Sequence, residues 1–117
     1  EADLAGADAV AAIDAPGATL MPGMVDAHVH LAYAGGDDPR TYTLDATGLG
    51  DPQLALRAAS RARETLAWGI TAVRDLHAPG RTVLALRDAI RAGWIEGPTV
   101  VACGQGLTVT GGHMDNV

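Results

Sequence analysis

The chain has 117 residues, 48% of them hydrophobic, and a formal net charge of −6 from 8 basic against 14 acidic side chains, which suits one soluble globular domain. The basic residues are all arginines and none is clustered, so the positive footprint of a nucleic-acid binder is missing. The longest uncharged stretch, Gly97 to Met114, is broken by Pro98 and several glycines and reads as no membrane span, and no secretion signal opens the sequence at Glu1.

A single cysteine, Cys103, excludes an internal disulfide and favours a cytoplasmic or simply cysteine-poor protein. Phe is absent and alanine is abundant, so helices must pack closely through small side chains onto strands of Val, Leu and Ile.

In chain order, Ala9 to Ile13 and Ala18 to Met21 read as short extended pieces around the turn signal Asp14-Ala15-Pro16-Gly17. After Pro22-Gly23, the segment Met24 to Leu31 alternates Val25 and Val29 with Asp26, His28 and His30, which predicts a strand. Tyr33 to Gly50 is rich in glycine and aspartate and lacks helical periodicity; an ordered loop of that length is expected to be functional. Asp51-Pro52 predicts a helix start, with the aspartate as N-cap and proline at the first helical position. Leu54, Ala58, Ala62 and Leu66 then form one apolar stripe to about Trp68, and Gly69 supplies a left-handed stop. Ile70 to Leu76 predicts a second strand. Thr82 to Ala92 predicts a second helix that buries Val83, Leu86 and Ile90 and is capped by Gly93, and Thr99 to Cys103 predicts a third strand. This alternation predicts an α/β fold built from βα units on a parallel sheet, with the ligand site beyond the carboxyl ends of the strands. Asp26, His28, His30, Asp75, His77 and the loop from Gly104 to His113 all fall there.

The sharpest chemistry lies in His28 and His30. Residues two apart on a strand share a face, with Cα atoms roughly 6.6 Å apart, so both imidazoles can converge on one ion at about 2.0–2.1 Å from each nitrogen. Imidazole favours zinc and its transition-metal neighbours over calcium or magnesium, and a catalytic ion needs a further protein ligand and an open position. The alternative is a pair of ordinary half-buried histidines, one bonded to Asp26.

Other chemistries find less support. Gly106 to Gly111 has the spacing of a phosphate-binding loop, but Gly112-His113 stands where Lys-Ser/Thr is required. Gly104-Gln105-Gly106 begins a dinucleotide fingerprint, yet Val109 replaces its third glycine. Ser60 sits mid-helix without a nucleophile elbow, and Cys103 reads as a small core residue.

Leu20-Met21-Pro22-Gly23-Met24-Val25-Asp26-Ala27-His28-Val29-His30-Leu31 resembles the signature that opens the barrel of the amidohydrolase superfamily, metal-dependent hydrolases with a distorted (β/α)8 barrel. Gly69 to Leu76 resembles that family's second strand. Gly97 to Gly104, followed by Thr110-Gly111-Gly112-His113, resembles the third strand and loop of the branch holding imidazolonepropionase-like proteins and Xaa-Pro dipeptidase-type carboxypeptidases. The resemblance implies that His28 and His30 are first-strand ligands of a divalent metal, most often zinc, in a site of one or two ions. It implies that His113 faces the substrate, polarising the scissile carbonyl or binding substrate; a solvated loop histidine is the alternative. Asp26 and Asp75 are expected to orient a ligand or a loop. His77 stands where glycine is commoner and is read as a surface residue, or else as a substrate contact particular to this protein.

The implied reaction is hydrolysis of a C–N amide or peptide bond by metal-activated water. An N-acyl amino acid or dipeptide, Xaa-Pro type included, is the expected substrate, with a cyclic amide such as an imidazolone as the alternative. The family also implies a bridging lysine or glutamate, two further histidines and a general-base aspartate beyond His113, whereas only four residues follow it and the chain has no lysine. A (β/α)8 barrel takes about 250 residues. The expectation is therefore the first three βα units of a barrel over residues 23–117, preceded at 1–22 by the end of a small β domain. The rest of the barrel would be supplied in cis or by a second chain, and the complete enzyme is expected to be a homo-oligomer. A different class stays open: a non-catalytic fragment or half of a split barrel that binds its complementary chain.

Overall fold

The computed structural model describes residues 13–35 and 48–112. Their elements run β1 (Met24–Val29), α1 (Asp51–Ala67), β2 (Ile70–Asp75), α2 (Thr82–Arg91) and β3 (Thr99–Ala102). The three strands form one parallel sheet in the order β1-β2-β3, as the alternating periodicities predict.

The helices take the positions their apolar stripes require. Leu54, Ala58 and Ala62 of α1 are buried, and with Val83 and Leu86 of α2 they pack on Val73 of β2 and Val100 of β3. Ile90 and Val29 lie half-buried against this cluster. Methyl side chains at 58 and 62 let α1 lie close to the sheet. Gly69 and Gly93, at φ +80° and +72°, end the two helices in the left-handed conformation that a Cβ disfavours. No helix among the described residues is long and apolar enough to cross a membrane.

Three local expectations are corrected. The N-cap of α1 is Gly50, at φ −78° and ψ 163°, not Asp51; the Gly50 N–H donates to Gln53 Oε1 at 3.1 Å, and Asp51 joins the first turn, where a negative charge suits the helix dipole. The simple alternation of β1 is broken, because Asp26 pairs with Val73 while Val29 pairs with Asp75, so three steps on one strand run against two on the other. Such a bulge redirects side chains. Cys103 is exposed: β3 ends at Ala102, and Cys103 shares the strand parity of Val101, which is itself exposed on the face away from the helices. The turn expected before Ala18 forms, with the Ala18 N–H donating to the Ala15 carbonyl at 3.1 Å, and residues 18–23 that follow it are neither helix nor strand. Most of the piece from Ala9 to Ile13 lies outside the described residues.

One face of the sheet is covered by helices. On the other, Val25 is 71% and Val101 59% exposed, an apolar surface that nothing among the described residues covers.

Candidate functional site

The carboxyl ends of all three parallel strands lie at one end of the sheet, where β1 carries His28 and the residue just past the strand is His30. Both are exposed, and their ring centroids lie 5.3 Å apart at an interplanar angle of 80°. The His28 N–H donates to Asp26 Oδ1 at 3.0 Å, so Asp26 holds the backbone of the bulge. His30 Nδ1 lies 3.5 Å from the His77 carbonyl oxygen. A carbonyl only accepts, so the tautomer that suits this contact carries its proton on Nδ1, and in that tautomer the Nε2 lone pair of His30 is left for a ligand.

Behind the histidines stands a buried carboxylate. Asp75, the last residue of β2, is 0% exposed and accepts the Leu31 N–H at Oδ2 (2.7 Å) and the His77 N–H at Oδ1 (3.2 Å). Burial pushes its carboxyl above the ordinary carboxylate value, against the two backbone N–H groups and the charge of His30, which pull it down. The residue expected to orient a loop thus ties the chain leaving β1 to the chain leaving β2.

His77 is not on the surface. It is 1% exposed, its ring stacks on Tyr33 with centroids 5.9 Å apart and planes 16° apart, and its Nδ1 accepts the Gly106 N–H at 2.7 Å. In the neutral ring the proton therefore sits on Nε2. Tyr33 also meets His30 edge-on, at 6.3 Å and 68°, so the rings of His28, His30, Tyr33 and His77 form a continuous line across the strand ends. The sequence places His77 at the strand ends, but the expectation of a surface residue is corrected: the partners that bury it come from segments distant in the chain. His113 lies outside the described residues.

The donors present fit part of a metal site. Two exposed imidazoles stand edge to face beside each other, and one has a carbonyl partner of the kind that orients a metal-binding histidine through its other ring nitrogen. Among the described residues no group of three or more His, Cys, Asp or Glu side chains is assembled that could hold an ion, so the pair is at most a half-site.

The sequence profile of the amidohydrolase family matches residues 19–116. Ochratoxinase from Aspergillus niger is 40% identical over 82% of the chain and 19% of its own length. Imidazolonepropionase from Anaeromyxobacter dehalogenans is 37% identical over 61% of the chain and 21% of its own. Among solved structures, a Xaa-Pro dipeptidase with bound methionine superposes with a TM-score of 0.66 at 32% identity, over 80% of this chain and 22% of that one. The chain spans about a fifth of the length of the curated relatives it matches. With a match over most of its residues and the parallel βα architecture of those hydrolases, the chain belongs to the amidohydrolase family.

Proposed function

We propose that this chain supplies the first-strand half of a metal site to a hydrolase that cleaves a C–N amide or peptide bond. One observation carries the reading: His28 and His30 stand together at the carboxyl end of the first parallel strand, with the Nε2 of His30 left available by the His77 carbonyl. Both would be ligands of a divalent ion, with zinc the best match to imidazole donors. When bound, such an ion supplies a water of lowered pKa and polarises a carbonyl oxygen.

The chain's own residues do the positioning. Asp26 fixes the backbone at His28, Asp75 fixes the turn after His30 through Leu31, and the stacked Tyr33 and His77 rings are buried beside the pair. His113, five residues after Thr108, would face the substrate from the loop after β3. The substrate class we favour is an N-acyl amino acid or a dipeptide, Xaa-Pro type included. The support is the likeness to a Xaa-Pro dipeptidase and to a prolidase complexed with N-methylphosphonate-L-proline, the latter at TM-score 0.65 and 27% identity. A cyclic amide is the alternative, supported by the likeness to imidazolonepropionase.

The test is made in a protein that carries this chain together with a complete barrel. Combined His28→Ala and His30→Ala substitution is expected to lower its divalent-metal content by elemental analysis; unchanged stoichiometry overturns the reading. Release of an amino acid from N-acyl amino acids or Xaa-Pro dipeptides, set against opening of an imidazolone ring, separates the substrate classes.

A second reading rests on the uncovered sheet face at Val25 and Val101. It makes the remaining barrel, in cis or as a separate polypeptide, the immediate partner of this chain. The exposed Leu20 and Met21 support reading residues 1–22 as the end of a small β domain. Intact-mass analysis of the native species tests the partner: a second polypeptide large enough to finish a barrel supports a split enzyme, and its absence from material shown to contain only these 117 residues refutes one.

A further inference from the structure

We propose that His77 is a positioning residue whose ring fixes the loop after β3 at Gly106, relative to the His28 and His30 pair. It thereby sets where that loop meets a substrate; this assignment of a catalytic consequence rests on the hydrolase reading above.

Burial comes first. At 1% exposure His77 is among the largest fully buried side chains of the described residues, and a polar ring withdrawn from water costs free energy unless its nitrogens are bonded. The ring bonds across the fold. It stacks on Tyr33, which follows β1, and accepts from Gly106, which follows β3, while His77 itself follows β2. One side chain therefore touches the segments leaving all three strands.

The contact with Gly106 is specific in shape. A Cβ built on residue 106 would lie 2.9 Å from His77 Nδ1, closer than carbon and nitrogen normally approach, so the N–H reaches the ring because the residue is glycine. The neighbouring residue adds a second tie, with the Ala78 N–H donating to the Gly104 carbonyl at 3.1 Å. The root of the loop is thus held by His77 and Ala78 together. Beyond it the chain rises into solvent: Leu107 and Val109 are exposed, and the Gly112 N–H turns back to the Val109 carbonyl at 2.8 Å. Because the His77 carbonyl faces His30 Nδ1, the residue that anchors the loop also abuts the candidate ligand. Ring and carbonyl do separate work, and a side-chain substitution removes only the first.

The experiment uses a metal-loaded protein containing this chain and a complete barrel, compared with its His77→Leu, His77→Asn, Gly106→Ala and His77→Leu/Gly106→Ala variants. Backbone amide exchange is read at residues 106–112, alongside metal content and the separate kcat and KM for an N-acyl amino acid. His77→Leu removes the acceptor and is expected to speed exchange in the loop by about tenfold, which corresponds to ~1.4 kcal/mol. KM should rise by a similar factor, with metal content unchanged and kcat little altered. His77→Asn offers Oδ1 as an acceptor in place of Nδ1 and should recover most of both effects. Gly106→Ala attacks the same contact from the other side, and the double variant should be no worse than the worse single one. Unchanged loop exchange in His77→Leu overturns the proposal, as does a His77→Asn variant indistinguishable from His77→Leu, which would make the ring a space-filler. If His77→Leu does not fold, Gly106→Ala decides by the same exchange readout. If the parent protein turns over no amide, the hydrolase reading fails, while the exchange pattern still supports or refutes the anchor.

Discussion

Replacing Asp75 by asparagine alters two buried hydrogen bonds while keeping the side chain's size. Both carboxylate oxygens accept backbone N–H groups, from Leu31 at 2.7 Å and His77 at 3.2 Å, and asparagine has only one oxygen to offer. Its amide nitrogen must face the other N–H, leaving a buried donor against a donor at a cost of ~1–3 kcal/mol. The shorter bond also loses the charge assistance that makes a bond to a carboxylate worth ~1.5–3 kcal/mol. Relief of the buried charge offsets part of this loss, because burial already pushes the Asp75 carboxyl upward. The net expectation is a destabilisation of about 2 kcal/mol, read as a urea midpoint lower by about 1 M for a typical denaturant slope. The measurement is urea unfolding followed by circular dichroism, on the chain or on a longer protein containing it that unfolds in one transition. A midpoint equal to that of the unsubstituted protein would show that the bridge from Asp75 to the β1 loop does not hold the strand ends together. Asp75 also has a pH signature in metal-free protein. Its folded pKa is raised, so from about 3.9 up to the folded value the folded state keeps a proton that the unfolded state has released. Stability therefore falls as pH climbs through that window, and the asparagine variant should lack this contribution.

Leu54→Ala empties a position of α1 that is 1% exposed at the centre of the core and should cost about 2–5 kcal/mol by the same unfolding assay; a loss under about 1 kcal/mol would mean that α1 is not seated on the sheet. The 117-residue chain by itself is expected to turn over no amide substrate, because the described residues assemble no three-ligand group; metal-dependent amino-acid release by material of verified mass would contradict this. Exposed Val101 on the uncovered sheet face should make the isolated chain self-associate as its concentration rises, and Val101→Asp should weaken that association in sedimentation experiments. A chain that stays monomeric at high concentration would show that this face is not adhesive.

Much of the fold was legible because its determinants are local. The stripe of Leu54, Ala58 and Ala62 identifies the buried side of α1 from spacing alone, and Gly69 and Gly93 mark the helix ends by the conformation that only glycine adopts cheaply. His28 and His30 stand out as a pair for the same reason, since two residues along a strand are always neighbours. Asp51 looked like the N-cap because aspartate is the better capping residue, but Gly50 occupies that position while Gln53 bonds its N–H. Cys103 looked like core because it is small and apolar, and its exposure follows from which face of β3 the helices cover.

The sequence by itself determined the order of strands and helices, the inward sides of the helices and the presence of a histidine pair at the first strand's end, because each is a matter of periodicity over a few residues. Only the tertiary structure decided the bulge that separates Asp26 from Val29, the burial of Asp75 and the conversion of His77 from an expected surface residue into the link between three loops. The reason is distance along the chain: Asp75 bonds a residue 44 positions away and His77 one 29 positions away, and no local pattern records which backbone N–H will arrive at a given side chain once the strands have paired.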